Sequence, residues 1–461
     1  MTMRTLRWLS ITLGALAASG CGVIPAYTRA NEAIAQGCPQ TRASMRAMDD
    51  DMFVGIAMSG GGSRAANFSA AVLLELEDLG FLQTASALSS VSGSSLTAAY
   101  YGLFGHDTQK WNPEHLQSIL LTDFQSNWFL RWFAPQHVVR YWLTDFDRSD
   151  IMKGVFDDFL FEGKDFTALG SAAPRGGPPT PRILINATTR THGERFVFAD
   201  EYFGRLGSCL ASYPVSHAAM ASGAFPGFFQ NVTLENYRHP QEPGETRRYF
   251  EHLYDGGAAD NLGVETLWEA VQTSLRESGG RTPRKCFFFI VDAYTTSEHP
   301  ALEKERDTRK AIDYLVDTNA LAAVDTLLSD RRLDVLWDIG FATTEIGREP
   351  YQEFELPADD EQKNGPAIPC AAWHITFQGL LVRGDLPSHA KTVGASVNRI
   401  LTRYRLETSG DEQPEELQRQ LFEAARILVR QDESTLQMVC RWFAADGFHN
   451  LRCPPGGSPR R

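Results

Sequence analysis

The order of segments predicts an α/β layer fold around a largely parallel sheet, and three observations carry the prediction. Short apolar runs such as Phe53-Val54-Gly55-Ile56-Ala57-Met58 and Cys286-Phe287-Phe288-Phe289-Ile290-Val291 read as buried strands. Stretches with apolar residues at helical spacing lie between such runs, the alternation expected of parallel strands joined by helical crossovers. The chain has 461 residues, 43% of them hydrophobic, which is enough apolar side chain to cover both faces of a sheet. At roughly 150 residues per domain, this length admits three small domains or one large α/β domain with additions.

Taken in order, residues 22–50 show little periodicity and read as a tether with an approach helix. The strand at Phe53–Met58 is broken by Gly60-Gly61-Gly62. A helix follows from Asn67 to Leu79, with Val72, Leu73, Leu76 and Leu79 at helical spacing. Leu88–Ser92 reads as a short strand that enters a second helix running through Tyr100. Further strands are expected at Arg182–Asn186, Phe196–Phe198, Arg248–Tyr254, Phe287–Val291 and Ala372–Phe377. Helices are expected at Val264–Arg276, Lys304–Ser329, Ser388–Arg405 and Pro414–Arg430.

Composition removes several functional classes. A net charge of −13 with no basic block is a poor match for nucleic acid, which needs a Lys/Arg footprint. Seven cysteines without a Cys-x-x-Cys pair or a Cys/His cluster give no zinc signature. At the start, Arg4 and Arg7 precede an apolar run from Trp8 to Ala18, the pattern of a secretory signal. Its end, Ala18-Ser19-Gly20-Cys21, resembles the lipobox of bacterial lipoproteins, with Ala18 where Leu is usual. That resemblance implies a lipid on Cys21 and an exported protein anchored to a membrane; an ordinary signal peptide is the alternative. Gly22 after Cys21 favours the outer membrane over the inner. With Cys21 set aside, six cysteines remain for disulfides. Cys286, inside an apolar run, reads as a buried thiol, and Cys38 with Cys453 as a staple across the ordered region.

Three local features carry chemistry. Met58-Ser59-Gly60-Gly61-Gly62-Ser63-Arg64 lies between a strand and a helix, where outward-facing amides and a helix start can hold an anion or an oxyanion. It is neither a Walker loop nor a dinucleotide fingerprint. Ser92-Gly93-Ser94-Ser95-Leu96-Thr97 is also a strand-to-helix junction. Aligned to the nucleophile elbow Gly-x-Ser-x-Gly, it makes Ser95 the nucleophile and puts Thr97 in place of the second glycine. Ser94 and Ser92 fit that spacing less well, and a plain helix-capping serine is the alternative. Tyr254-Asp255-Gly256-Gly257 reads as a strand-end turn that exposes the Asp255 carboxylate.

Together, Ser-Gly-Gly-Gly-x-Arg, Gly-x-Ser and Asp-Gly-Gly in this order resemble the patatin-like phospholipases, relatives of cytosolic phospholipase A2. Ala221-Ser222-Gly223-Ala224-Phe225-Pro226 resembles the family's Ala-Ser-x-Ala-x-Pro segment. Ser59, Ala65 and Thr97 depart from the family pattern. The resemblance implies a three-layer α/β/α fold and a Ser–Asp dyad acting on lipid esters without histidine, metal or cofactor. Ser95 would attack, Asp255 would take its proton, and Gly60, Gly61 and Gly62 would form the oxyanion hole. Arg64 would steady the loop or meet a lipid phosphate. The implied division is a signal peptide at 1–20, a lipidated tether at 21–50, a catalytic domain at 51–405 with a helical, aromatic insertion near 110–160, and a helical extension at 406–461. The partners implied are a phospholipid, lysophospholipid or other lipid ester and, through the anchor, a membrane. Two alternatives remain at this point: a Ser-His-Asp esterase using one of His299, His374, His389 or His449, and a non-catalytic lipid- or partner-binding scaffold. For the aromatics at 128–142, core packing competes with a cap over the site or a membrane contact.

Overall fold

The structure, a computed structural model, describes residues 31–35, 37–41, 51–169, 180–238, 248–295, 329–342, 346–357, 367–448 and 450–454. Its strands are β1 (Met52–Met58), β2 (Ala87–Val91), β3 (Arg182–Thr189), β4 (Arg195–Val197), β5 (Val232–Asn236), β6 (Tyr249–Asp255), β7 (Lys285–Asp292), β8 (Tyr351–Pro357) and β9 (Ala367–Thr376). They form one sheet in the order β5-β6-β3-β2-β1-β7-β9-β8, with β4 also on β3. The central run β3-β2-β1-β7-β9 is parallel. The margins are antiparallel: β4 and β6 on β3, β5 on β6, and β8 on β9.

All residues of β1 are buried, because both faces of the sheet are covered. Alternation sends Val54, Ile56 and Met58 into one core and Phe53 and Ala57 into the other. The first core is packed by helices α1 (Gly62–Leu79) and α2 (Ser94–Phe104). Of the insertion, it takes parts of α3 (Pro113–Leu120), α4 (Phe124–Trp132) and, past α5 (Pro135–Leu143), which buries no residue, α6 (Arg148–Phe156). Beyond the insertion come α7 (Val215–Ser222) and α8 (Val264–Glu277). The second core is packed by α8, through Leu267 and Val271, and by residues 335–341. Last come α9 (Ala390–Val397), α10 (Pro414–Val429) and α11 (Glu433–Ala444). α10 lies against α1 and shares the first core, so residues beyond 406 are packed into the same body.

The expected α/β layering with a mostly parallel sheet is what forms. Two strands, β5 and β8, escape the sequence reading. Both are at antiparallel margins and are interrupted by partly exposed polar residues, so neither shows the continuous apolar run of a central strand. The helix expected over Ser388–Arg405 stops at Val397. The residues after it leave helical geometry to reach the glycine loop, as described below. The expected helix Lys304–Ser329 and most of the approach helix within 22–50 lie outside the described residues, as do residues 1–30 with Cys21. What is described before residue 51 docks by Asn31 Nδ2, which donates to Ser208 Oγ at 2.9 Å and to the Glu235 carbonyl at 3.0 Å.

The cysteine expectations are corrected. Cys286 is not a free thiol: it faces Cys370 across the parallel pair β7 and β9 and forms a disulfide with it. Cys38 bonds Cys209 and Cys453 bonds Cys440, so the proposed Cys38–Cys453 staple does not exist. Cys38–Cys209 closes a separation of 171 residues and holds the segment before β1 onto the body. Non-reducing peptide mapping should recover these three pairs. Replacing Cys38 and Cys209 together by alanine should lower unfolding stability by about 2–5 kcal/mol, read by denaturant titration.

Candidate active site

The parallel centre brings the ends of β1 and β2 to one edge of the sheet, and antiparallel β6 delivers its own last residue beside them. β2 ends at Val91. The next residue, Ser92, has a φ of 53°, a left-handed conformation that a non-glycine residue adopts only when surroundings enforce it. α2 starts two residues later, so Ser92 sits on a sharp strand-to-helix turn. Its hydroxyl donates to Asp255 Oδ2 at 2.9 Å, and its N–H donates to Ser222 Oγ at 2.8 Å.

The turn is possible because the neighbour is glycine. A Cβ on Gly93 would fall 2.0 Å from the Gly62 carbonyl oxygen, so the glycine loop and the serine turn touch backbone to backbone. Asp255 is the last residue of β6, opposite Ala187 of β3. Its Oδ1 accepts the Gly257 N–H at 2.9 Å, its N–H donates to the Ala224 carbonyl, and its carbonyl accepts Thr188 Oγ1. Burial pushes its pKa up to about 6, although the bonds from Gly257 and Ser92 pull the other way.

Asp255 therefore reaches the site as expected, but its hydroxyl partner is Ser92. Ser95 lies one helical turn further on and shares a hydrogen bond of 2.9 Å with Ser222 Oγ. Ser94 points the other way, donating to the Ser59 carbonyl at 2.5 Å and sharing a bond with Ser69 Oγ at 2.9 Å. Thr97 donates to the Ala66 carbonyl at 2.7 Å and lies inside α2, away from the turn.

The three glycines are not equivalent. The Gly60 N–H donates to the Asn261 carbonyl at 3.1 Å, so it is not available as an oxyanion donor. Those of Gly61 and Gly62 have no acceptor among the described residues. Both sit at the start of α1, which has no side-chain cap, so its positive dipole end is unneutralised there. Ser59 pins the loop to the sheet: its N–H donates to the Val291 carbonyl and its Oγ accepts the Ala293 N–H, both at 2.9 Å.

Arg64 is a strut. It is buried and donates to the Ile400 carbonyl and to Thr402 Oγ1. The Ser63 N–H donates to the Arg403 carbonyl at 2.7 Å. Segment 400–404 thus clamps the loop, which is the physical reason that α9 ends early. The same segment delivers Tyr404, whose hydroxyl donates to the Gly223 carbonyl at 3.0 Å and lies beside Ser92. Burial and the nearby Asp255 push the Tyr404 phenol far up, so it stays protonated.

Three participants were therefore missed from sequence: Ser92 as the aspartate's partner, Ser222 and Tyr404. A signal for the first existed, since Ser92 closes the expected strand and Gly93 follows it. No local signal marks Tyr404. The described histidines after Asp255 are engaged elsewhere. His374 Nε2 bonds Asp292 at 2.8 Å, and His389 Nε2 bonds Glu423 at 3.1 Å; His299 and His449 lie outside the described residues. Burial alone would raise the Asp292 pKa, but Arg332 and His374 hold it well below the usual carboxylate range. Among the described residues no group of three or more His, Cys, Asp or Glu is placed to hold a metal.

A raised carboxyl pKa costs the folded state stability at neutral pH. Between about 4 and 6 the folded state binds the extra proton, so stability falls as pH rises through that window and stays low above it. Asp255→Asn should remove this cost. Thermal melts should show the variant stabilised at pH 7.5, by up to about 3 kcal/mol, with the advantage vanishing near pH 4.

The sequence matches the family described as patatin-like phospholipase over residues 56–268, which span β1 to α8 and include Ser92 and Asp255. No curated protein matches the chain. Solved structures with a similar chain path include human GIVD cytosolic phospholipase A2 in complex with methyl gamma-linolenyl fluorophosphonate and terbium chloride. It is 14% identical, covers 86% of this chain and 60% of its own, and has a TM-score of 0.45. The same human enzyme described without a ligand gives 14% identity, 84% and 60% coverage and a TM-score of 0.44. VipD from Legionella pneumophila is 11% identical, with 60% and 56% coverage and a TM-score of 0.23. The chain thus spans about 60% of the length of the human phospholipase A2 chains. Residues 56–268, a little under half of the chain, thus match a patatin-like phospholipase domain.

Proposed function

We propose that the protein is a serine lipid acyl hydrolase in which Ser92 is the nucleophile and Asp255 the base. The observation that carries this reading is the Ser92 hydroxyl donating at 2.9 Å to a buried carboxylate, beside the unpaired amides of Gly61 and Gly62. The substrates are fatty-acyl esters of phospholipids or lysophospholipids, the class implied by the family. Ser92 Oγ attacks the ester carbonyl while its proton passes to Asp255 Oδ2. The amides of Gly61 and Gly62 receive the developing oxyanion. Collapse breaks the ester bond, and Asp255 returns the proton to the departing alcohol oxygen. Water then attacks the acyl-Ser92 ester and gives a proton to Asp255, which passes it back to Ser92 Oγ as the fatty acid leaves. The base must be ionised, so the rate should rise with pH through the Asp255 pKa of about 6.

The residues around the pair support the same division of labour. Ser222 holds the Ser92 amide, and Tyr404 donates towards the same corner. A Cβ on Gly223 would meet the Tyr404 hydroxyl at 1.9 Å, so that approach depends on glycine. Further, we place the protein outside the cytoplasm, lipidated on Cys21 and held at a bacterial membrane, the outer one favoured by Gly22. The signal pattern and three disulfides support this location.

Turnover of a short-chain ester and of a phospholipid tests the assignment. Ser92→Ala should lose on the order of 10⁴-fold or more, and Asp255→Asn about 10²–10⁴-fold. Ser95→Ala should stay within about tenfold of the parent, since it loses one hydrogen bond. A fluorophosphonate probe should label Ser92; labelling of Ser95, or an inert parent protein, overturns the assignment. Tyr404→Phe should slow turnover by about 3–10-fold without unfolding the chain. Mass spectrometry of the mature N-terminus should find diacylated Cys21, and an unmodified start further along refutes the anchor.

A further inference from the structure

Among the described residues, twelve large apolar side chains are exposed, and seven of them fall within residues 129–143. Trp142 is 75% exposed, Leu130 70% and Phe133 65%. They are ordered by helical spacing. On α4, Phe129 and Phe133 are four apart with Leu130 beside them. On α5, Val138 and Val139 are followed four residues on by Trp142 and Leu143. An amphipathic helix normally turns such a stripe to the core; here both stripes face outward.

We infer that the α4–α5 hairpin is the surface by which the enzyme docks on a lipid membrane. This inference rests on the hydrolase reading above for its purpose, and on four observations for its occupant. First, the apolar stripes lie on two consecutive short helices, so a flat apolar phase can receive both. Second, three of the seven are aromatic, Phe129, Phe133 and Trp142, and Tyr141 is at the border, residues that suit the headgroup boundary.

Third, residues 124–143 carry Arg131, His137 and Arg140 and no acid, in a chain of net charge −13. Arg131 is bridged to Asp158 at 2.7 Å, whereas Arg140 is exposed and lies over the Phe146 ring. A protein this acidic is repelled by anionic headgroups; this segment is a local exception.

Fourth, the patch is continuous with the dyad. Trp132 packs on Trp128 at 5.5 Å between ring centroids, Trp128 on Phe229 at 5.3 Å, and Phe229 on Tyr404 at 5.9 Å. The Tyr404 side chain lies beside Ser92, and its carbonyl accepts the Gln125 N–H of α4 at 3.1 Å. A series of packed aromatic rings therefore connects the exposed hairpin with the corner that holds Ser92.

Hydrogen exchange of the full chain, with and without vesicles of diether phosphatidylcholine and diether phosphatidylglycerol, tests the surface. These lipids contain no ester, so the measurement is independent of turnover and survives failure of the hydrolase reading. Amides within 124–143 should exchange about tenfold more slowly, or slower still, on vesicles. In Leu130→Glu/Trp142→Glu that protection should disappear, while exchange in β1, β7 and β9 stays unchanged. Three results overturn the proposal: no protection of 124–143 on vesicles, protection confined to residues before 51, or protection that grows with protein concentration without lipid, which would assign the patch to a second copy.

Discussion

The Asp255 carboxylate has two oxygens, and each accepts one donor: the Gly257 N–H on one side and the Ser92 hydroxyl on the other. Two such bonds are few for a buried carboxylate, which is why its pKa lies high. The arrangement around it prevents either partner from drifting. Ser222 accepts the Ser92 N–H through its hydroxyl and the Gly256 N–H through its carbonyl, and Ala224 accepts the N–H of Asp255. One short segment at the end of α7, residues 222–224, therefore gauges the distance between Ser92 and Asp255. Moving it displaces both.

The glycine loop depends on a different part of the chain. Its amides face outward only because Asn261 draws the Gly60 N–H away and Arg403 sits over Gly62 and Ser63. Arg64 fastens the loop to the same late segment, more than three hundred residues downstream. The family match ends at residue 268, yet a clamp built from residues 400–404 holds the glycine loop within it. Packing of α10 on α1 brings that clamp into place, so the C-terminal part of the chain is an integral part of the site.

The fold was legible where physics is local. Central strands are continuous apolar runs because both of their faces are buried, and the order of motifs placed loop, turn and carboxylate at one edge of the sheet. The marginal strands β5 and β8 were not legible, since half-exposed antiparallel strands carry polar residues that read as loop. Ser95 answers to a glycine spacing, whereas the strained backbone at the strand end belongs to Ser92. Gly93 and the clash it avoids with Gly62 explain why the turn falls there. The disulfides were hidden for the same kind of reason: Cys286 looks like any core residue until β9 brings Cys370 beside it. Tyr404 depends on a tertiary contact that no local pattern announces.

The disulfide between Cys38 and Cys209 also sets a leash. It rivets the chain to the body at residue 38, and hydrogen bonds of Asn31 and Ile34 fasten it earlier still, ten positions after Cys21. At most about 3.3–3.6 Å per residue, those ten positions cannot reach further than roughly 35 Å. With the proposed lipid on Cys21, the body can roll and tilt over the surface that holds it, but it cannot leave. Its working territory is then a shell roughly 35 Å deep, and every lipid it meets there belongs to its own membrane or to something pressed against it.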